Sequence, residues 1–369
     1  MRSEEDLVET LRAAAGQAGP ANFAEGVSRR RRARQRGRVL LAAAAVVTVV
    51  GGTTAVLSGQ EPAAPPVAAS PAPRSIVPVA ELWPRAVLKI PADGGEAYPV
   101  TGLSATELLM ATKTRLQVYD SATGKTRVLG EIPYPMKQYF PQGFAVGERY
   151  IAWHGENDEN REWADFWIMP REGGEARRIG EVAADVDGVG LTGDHLVWSL
   201  RKGGVYRMPL SGGTPELLPG TDRLHLSSWP WAREGGDGAN TTRIANLETG
   251  QSTAVALPEG IDMMQCHPQW CAGVRDGRLI VQRVDGSGRT TLPGTLLRMG
   301  FRWLYGDRYA LFLLNTPERQ QPVLYDLTTG TMAGLGDGAQ SLISPSPSTV
   351  LFWGTGKERT VLNLKAVTG

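Results

Sequence analysis

Residues able to carry covalent or metal chemistry are few in this chain, and their spacing does not bring them together. The four histidines, His154, His195, His225 and His267, are scattered, and none forms the His-Glu-x-x-His pair that puts two imidazoles on one helix face for zinc. No Gly-x-Ser-x-Gly turn is present to expose a nucleophilic serine. Gly354-Thr355-Gly356-Lys357 looks like a phosphate loop, but Leu351 stands where the first glycine is needed and Glu358 where a hydroxyl is needed. It reads better as a loop between strands, and His195 as a structural residue at the start of one. Glu156, Asp158, Glu159 and Glu162 crowd one stretch and could approach a calcium ion, yet they lack the glycine-bearing calcium pattern and read as a solvated acidic loop. The expectation is no catalytic residue, no metal and no cofactor.

Two arrangements keep a binding or structural reading. Cys266 and Cys271 enclose His267-Pro268-Gln269-Trp270. In an oxidising compartment a short hairpin could join them as a disulfide, with free thiols or a metal pair as the other readings. His225, Trp229 and Trp231 fall within Leu224-His225-Leu226-Ser227-Ser228-Trp229-Pro230-Trp231. Exposed, these three would suit a sugar ring or an aromatic peptide side chain; buried, the tryptophans would simply fill the core.

The elements that must position these residues begin with a strong asymmetry. Residues 1–38 carry nine arginines and five acids, although the whole chain is +1. Arg29, Arg30, Arg31, Arg32, Arg34, Arg36 and Arg38 precede Val39 to Leu57, 19 residues without a charge. At ~1.5 Å per residue such a helix spans a bilayer core of ~30 Å. The guanidiniums hold its N-terminal end in the cytoplasm and can touch anionic lipid. The expected order is a cytoplasmic basic segment over 1–38, a single transmembrane helix over 39–58, and an extracytoplasmic Pro/Ala-rich stalk over 59–84. A signal peptide cut near Ala55 is the alternative to a retained anchor. Pro62, Pro65, Pro66, Pro71 and Pro73 favour extended polyproline geometry or a plain linker.

Residues 85–369 change texture to short β-rich runs separated by glycine turns. One unit recurs, an alternating strand followed by a tight turn ending in glycine and a second short strand. Its clearest copies are Val87-Leu88-Lys89-Ile90-Pro91, Phe166-Trp167-Ile168-Met169-Pro170 and Val205-Tyr206-Arg207-Met208-Pro209, each followed by a Gly-Gly turn. With the looser copies, the final turn glycines are 95, 124, 174, 213, 250, 288 and 330, spaced by about 39 residues on average. A second kind of strand lies between them, apolar and ending in an aromatic: Tyr150-Ile151-Ala152-Trp153, His195-Leu196-Val197-Trp198, Tyr309-Ala310-Leu311-Phe312 and Val350-Leu351-Phe352-Trp353. A period near 40 with several strands per unit indicates an all-β β-propeller. Seven blades fit, six or eight remain compatible, and the two chain ends are expected to close the ring.

Met169-Pro170-Arg171-Glu172-Gly173-Gly174, Met208-Pro209-Leu210-Ser211-Gly212-Gly213 and Ile90-Pro91-Ala92-Asp93-Gly94-Gly95 resemble the outer hairpin of TolB-like (WD40-like) propeller repeats. The usual Ser-Pro-Asp-Gly turn survives only as Ser346-Pro347-Ser348. The layout, with 32 Arg to 7 Lys, is similar to that of actinobacterial membrane-anchored TolB-like proteins. This resemblance implies architecture and no particular activity, since propellers host unrelated functions. A Tol–Pal partner is not implied, because that group would lack the outer membrane this system serves.

The function expected from these features is a membrane-inserted, extracytoplasmic propeller that binds an envelope protein, peptide or glycan without catalysis. Two alternatives stand beside it. Residues 1–28, with Ser3 capping a short amphipathic stretch, could dock a cytosolic protein as anti-sigma factors do. The propeller could instead be an enzyme on glycan or peptide. No specific nucleic-acid partner is expected.

Overall fold

The computed structural model describes residues 75–91, 97–157, 160–236, 238–295, 304–315, 320–336, 349–354 and 358–367. The arginine run Arg29–Arg38, the apolar run Val39–Leu57, residues 1–28 and Ser346-Pro347-Ser348 lie outside them. Among the described residues no helix is long and apolar enough to cross a membrane.

The second strand of each repeat shows why the chain folds as it does. In Tyr150–Asn157, Ile151 and Trp153 enter one apolar cluster while Ala152 enters another. In His195–Leu200, Leu196 and Trp198 turn to one side and Val197 to the other. Side chains alternate across a strand, so a strand that is apolar at every position must be covered on both faces. The covers are neighbouring sheets of the same kind.

The described strands form seven blades in chain order, with blades 5 and 6 linked by the pair Thr295–Leu313. Blade 1 is Tyr98–Gly102, Glu107–Ala111, Arg115–Asp120 and Lys125–Glu131. Blade 2 is Tyr139–Val146, Tyr150–Asn157, Asn160–Pro170 and Arg177–Val182, and blade 3 is Val186–Thr192, His195–Leu200, Val205–Pro209 and Glu216–Leu217. Blade 4 comprises Leu224–Ser228, Trp231–Glu234, Arg243–Asn246 and Ser252–Ala254. Blade 5 comprises Asp262–Cys266, Trp270–Arg275, Arg278–Arg283 and Thr290–Thr295, and blade 6 Leu304–Tyr305, Tyr309–Asn315, Gln320–Asp326 and Met332–Gly334. Blade 7 joins Val350–Trp353 and Glu358–Asn363 to Val87–Pro91 from the other end of the chain. First strands of successive blades touch one another, as Tyr139–Val146 touches Val186–Thr192 and that touches Leu224–Ser228. They therefore lie on the axis side of the ring.

Seven apolar clusters seal the seven blade junctions. Between blades 2 and 3, the rings of Phe166 and Trp198 lie 4.6 Å apart. Between blades 7 and 1, Ile90, Val350, Phe352 and Val361 pack on Ala97, Leu108 and Met110. Hence the ring closes, and every blade sheet is covered on both sides.

Two expectations are corrected here. Val87–Pro91 does not open a hairpin with the strand after it; it pairs antiparallel with Glu358–Asn363, and Tyr98–Gly102 pairs with Glu107–Ala111. The short first spacing of 29 residues reflects that switch of blade. The propeller unit also starts before residue 85. Val77–Pro78 adds a parallel strand to Met332–Gly334, and Val79, Trp83 and Ala86 are buried in the cluster between blades 6 and 7. Trp83 anchors this stretch because its indole has apolar blade surface to cover, which a solvated stalk lacks.

The turn glycines fall into two physical classes. In blades 1, 4 and 6 an Asx residue closes its own turn: Asp120, Asn246 and Asp326 accept side-chain bonds from the N–H two residues on. Gly124, Gly250 and Gly330 then donate back to the carbonyls of those three residues. In blades 2 and 3 the Gly-Gly turn instead abuts the fourth strand of the preceding blade. A Cβ on Gly173 would stand 2.9 Å from the Leu129 carbonyl oxygen, and one on Gly212 3.0 Å from that of Ile179, both at strongly positive φ. Gly124 has a similar sign of φ with nothing within 4 Å.

Gly212→Ala is expected to cost about 2–3 kcal/mol, combining backbone strain with a clash, and Gly124→Ala about 1 kcal/mol from strain alone. Urea unfolding of the two variants checks the order. A second prediction concerns Asp326, almost wholly buried and held by Arg308 (Nη2–Oδ2 2.8 Å). Burial pushes its carboxyl up, but the Arg308 guanidinium and the N–H of Thr328 outweigh that and hold it below the usual range. A carboxyl depressed in the fold stabilises above its unfolded value and loses that contribution as pH falls through its folded value. Asp326→Asn should therefore lower stability at neutral pH by about 1–3 kcal/mol and flatten its loss on acidification, read by urea midpoints across pH.

Candidate functional site

The structure divides the three residues expected to share a ligand. His225 is the second residue of blade 4's axial strand and is almost wholly buried. Its Nδ1 stands 3.3 Å from Asp187 Oδ2 on the axial strand of blade 3. Asp187 in turn lies 3.9 Å from Arg201 Nη1, and Arg201 Nε donates to Asp185 Oδ2 at 2.9 Å. The imidazole thus lies between two blades near the axis, beside Asp187 but with no hydrogen bond to its Nδ1. Trp229 and Trp231 sit at the opposite end of the same strand pair. Trp229 Nε1 donates to Glu248 Oε1 at 2.8 Å, and its ring packs on the cluster between blades 3 and 4. Trp231 packs on the cluster between blades 4 and 5. The two half-buried tryptophans fill adjacent junctions, and neither approaches His225 as a shared ligand wall.

Cys266 and Cys271 stand opposite each other across the first hairpin of blade 5, both buried, with a disulfide between them. His267 begins the hairpin loop, its N–H donating to the Trp270 carbonyl. His195 Nδ1 pairs with Asp194 at 2.6 Å at a strand start. Gly354 follows Val350–Trp353 directly, and residues 355–357 lie outside the described residues. Among the described residues no group of His, Cys, Asp or Glu could hold a metal ion.

The acidic stretch after Trp153 differs from expectation in an informative way. Glu156 belongs to the strand Tyr150–Asn157 and Glu162 to the strand Asn160–Pro170, while Asp158 and Glu159 lie outside the described residues. The equivalent hairpin is shorter in blade 3. There Trp198 pairs with Tyr206 and the ladder ends one pair later, at Ser199 and Val205. In blade 2 the equivalent pair is Trp153 with Trp167, followed by His154 with Phe166; pairing then continues through Gly155, Glu156 and Asn157. Three further residues amount to roughly 10 Å of strand. The axial strand of blade 2 begins early to match, with Tyr139 opposite Asn157 and Phe140 opposite Glu156. Blade 2 therefore extends past its neighbour as a ribbon, at the end of the ring that carries His225, Asp187 and Arg201.

The ribbon is stiff at its base. Tyr139 is buried and donates its hydroxyl to Asp165 Oδ1 at 2.8 Å. Gly155 leaves the space that the Tyr139 ring occupies, since a Cβ there would meet the phenol oxygen. Burial pushes the Asp165 carboxyl up, and burial with the neighbouring Asp165 carboxylate pushes the Tyr139 phenol up. On the opposite face, Glu156 accepts from Gln142 Nε2 at 2.8 Å and lies 2.9 Å from His154 Nε2. Trp163 Nε1 reaches Glu181, which also pairs with Arg178.

The ribbon and the segment feeding it are where apolar side chains meet solvent. Tyr134, Met136 and Phe140 are 39%, 40% and 41% exposed, half of the exposed large apolar residues among the described residues. Tyr134 packs edge-on to Tyr139 at 5.6 Å, and Asn157 Nδ2 lies 3.0 Å from Met136 Sδ, so these two share one face. Phe140 lies on the other face with Glu156. Tyr134 and Met136 thus form one small exposed apolar surface, of the kind that marks interaction sites, and Phe140 a separate exposed residue on the opposite face. The sequence signal for this site was Pro133-Tyr134-Pro135-Met136, which reads as an ordinary loop until the adjoining strands are seen to project.

No family model matches this sequence, and no curated protein does. Solved structures do show similarity. A putative TolB from Agrobacterium tumefaciens is 17% identical, over 61% of this chain and 90% of that one, at a TM-score of 0.38. YCF48 bound to D1 peptide is 12% identical, over 72% and 94%, with a TM-score of 0.44. Oligogalacturonate lyase from Vibrio parahaemolyticus is 11% identical, over 65% and 75%, with a TM-score of 0.42. The propeller assignment rests on the strand pairing of this chain itself.

For the cysteines, the protein denatured without reductant should take up no alkylating reagent, and after reduction should take up two equivalents. Replacing both by alanine should cost roughly 2 kcal/mol, the entropy of a loop this short, read as a lower urea midpoint.

Proposed function

We propose that this chain is a membrane-anchored extracytoplasmic binding module whose propeller engages a protein or peptide, without covalent chemistry, through the projecting ribbon of blade 2. The observation that carries this reading is the ribbon with the segment that feeds it, where Phe140 is presented to solvent on one face and Tyr134 with Met136 on the other. Most of the ring's large apolar side chains are consumed in blade junctions, and half of those left exposed among the described residues gather at the ribbon and the segment that feeds it. The nearby ionic groups Asp185, Asp187, Arg201 and His225 are engaged with one another, which fits a scaffold role beside the ribbon.

The outer location is supported by the seven arginines before the uncharged run Val39 to Leu57 and by the Cys266–Cys271 bond, which suits an oxidising compartment. Residues 1–38 then serve orientation, with docking of a cytosolic protein on residues 1–28 as a separate outcome that deleting them would reveal.

The test is a photo-crosslinking side chain placed at position 140 of the full-length protein in its own membrane, with position 128 on the outer strand of blade 1 as control. Val128 is also an exposed apolar residue. The expected result is a discrete adduct from position 140 that position 128 does not give. Equal adducts from both positions, or none from 140, would sink the reading.

A further inference from the structure

The base of the ribbon is built on a carboxyl group that the fold solvates poorly. Asp165 is 1% exposed. Its Oδ1 accepts from the Tyr139 hydroxyl at 2.8 Å, but its buried Oδ2 accepts no hydrogen bond. Taking a carboxylate out of water is costly unless its oxygens are bonded and a cation is held close. The cation paired with it among the described residues is Arg178, whose Nε stands 3.4 Å from Oδ2. That guanidinium is exposed and turns its Nη2 to Glu181, the residue across from Asp165 on the fourth strand. Two carboxylates therefore share one solvated guanidinium, and the buried one has the looser hold on it. We propose that Asp165 makes the ribbon a proton-responsive element: while the carboxyl is ionised the base is held less firmly, and acidification neutralises it and stiffens the ribbon for docking. This rests on the reading that the ribbon is the docking element.

The groups facing Asp165 are Tyr139 from the axial strand, Trp167 from its own strand, and Arg178 with Glu181 from the fourth strand; Gly155, its partner on the second strand, carries no side chain. Burial raises the carboxyl from its ordinary value, with Glu181 adding to the rise, while Tyr139, Trp167 and Arg178 oppose it without cancelling it. Tyr139 stays a neutral donor, since burial and the Asp165 carboxylate both push its phenol up. A carboxyl raised in the fold takes its proton more readily there than in the unfolded chain. Its contribution to stability therefore grows as pH falls through the folded value and is complete below the unfolded value of ~3.9. The sign is opposite to that of Asp326. A more firmly held ribbon loses less entropy when it binds.

The experiment is hydrogen–deuterium exchange of the full-length protein in peptides from Tyr150–Asn157 and Asn160–Pro170, followed from about pH 7.5 to about pH 5 and corrected for intrinsic exchange. Opening of the ribbon should slow severalfold towards the acid end. Asp165→Asn, neutral at every pH, should match the acidified wild type and lose the pH dependence. Arg178→Gln, a change at an exposed position that leaves the packing intact, should move the transition to higher pH by removing the guanidinium. His154 and Glu156 on the opposite face of the ribbon also titrate. A pH dependence that survives in Asp165→Asn belongs to that pair and overturns the proposal, as does corrected exchange that is the same at every pH. The crosslink from position 140 tests docking separately. Its yield should rise with acid in the wild type and stay level in Asp165→Asn. An adduct with pH-independent exchange keeps the docking reading and removes the proton response; no adduct at any pH removes the docking reading and this regulation with it.

Discussion

Burial of both faces of every blade is the constraint on which this molecule depends, and it makes the seven sheets mutually dependent. Trp153 faces blade 1 while Ala152, its neighbour in the chain, faces blade 3. Removing any one blade would strip one face from each of two others. The final junction is made by residues from distant parts of the sequence, such as Ile90 and Val361 with Leu108, and it is fastened by Asn363 Nδ2 donating to the Ser104 carbonyl at 2.8 Å. Large core side chains such as Trp198 each carry about 3–5 kcal/mol on truncation. Exposed ion pairs such as Arg201–Asp185 contribute at most about 1 kcal/mol. Packing between blades, and not surface charge, therefore sets the architecture.

A ring sealed this way leaves few places where a partner can find uncommitted apolar surface. Turns such as those at Asp120 and Gly212 are closed by an Asx side chain or pressed against the preceding blade, and Arg201 is held by Asp185. Blade 2 runs past blade 3 at the ribbon end, and its extension is braced from within by Tyr139 and Asp165. For the docking proposed above the brace would matter, because an element already held in position loses little further entropy when it binds. Fold rigidity and ribbon presentation are thus linked through one buried hydrogen bond.

The second and third strands of the blades were legible because their chemistry is local. Apolar runs such as Val350 to Trp353, and strand-plus-glycine units such as Val205 to Gly213, each carry their own signal. The axial strands were not. In blades 1 to 5 the pairing of the first strand with the second contains a register shift, as between Gln142 and Ala145 or Val186 and Gly188. A bulge breaks the two-residue alternation that pattern reading relies on, so these strands look like loops. The ribbon was hidden for another reason: the beginning of the strand Asn160–Pro170, with Arg161, Glu162 and Asp165, continues the acidic stretch and reads as a solvated loop, and only Phe166 to Pro170 carries a strand signal.

What the sequence by itself determined was the repeating unit: a period near 40, double-faced strands, turn glycines and two cysteines spaced for a hairpin. Those features arise from neighbours along the chain, and they suffice to dictate a closed ring of blades. Tertiary structure alone decided which distant residues meet. It set His225 against Asp187 of another blade, parted it from Trp229 and Trp231, and moved Val87–Pro91 into the last blade. It also turned an acidic stretch into a projecting strand. The His225–Asp187 approach and the place of Val87–Pro91 depend on segments of different blades, and the other two on the register of a hairpin; in each case register is set by packing of whole faces, which no local run of residues encodes.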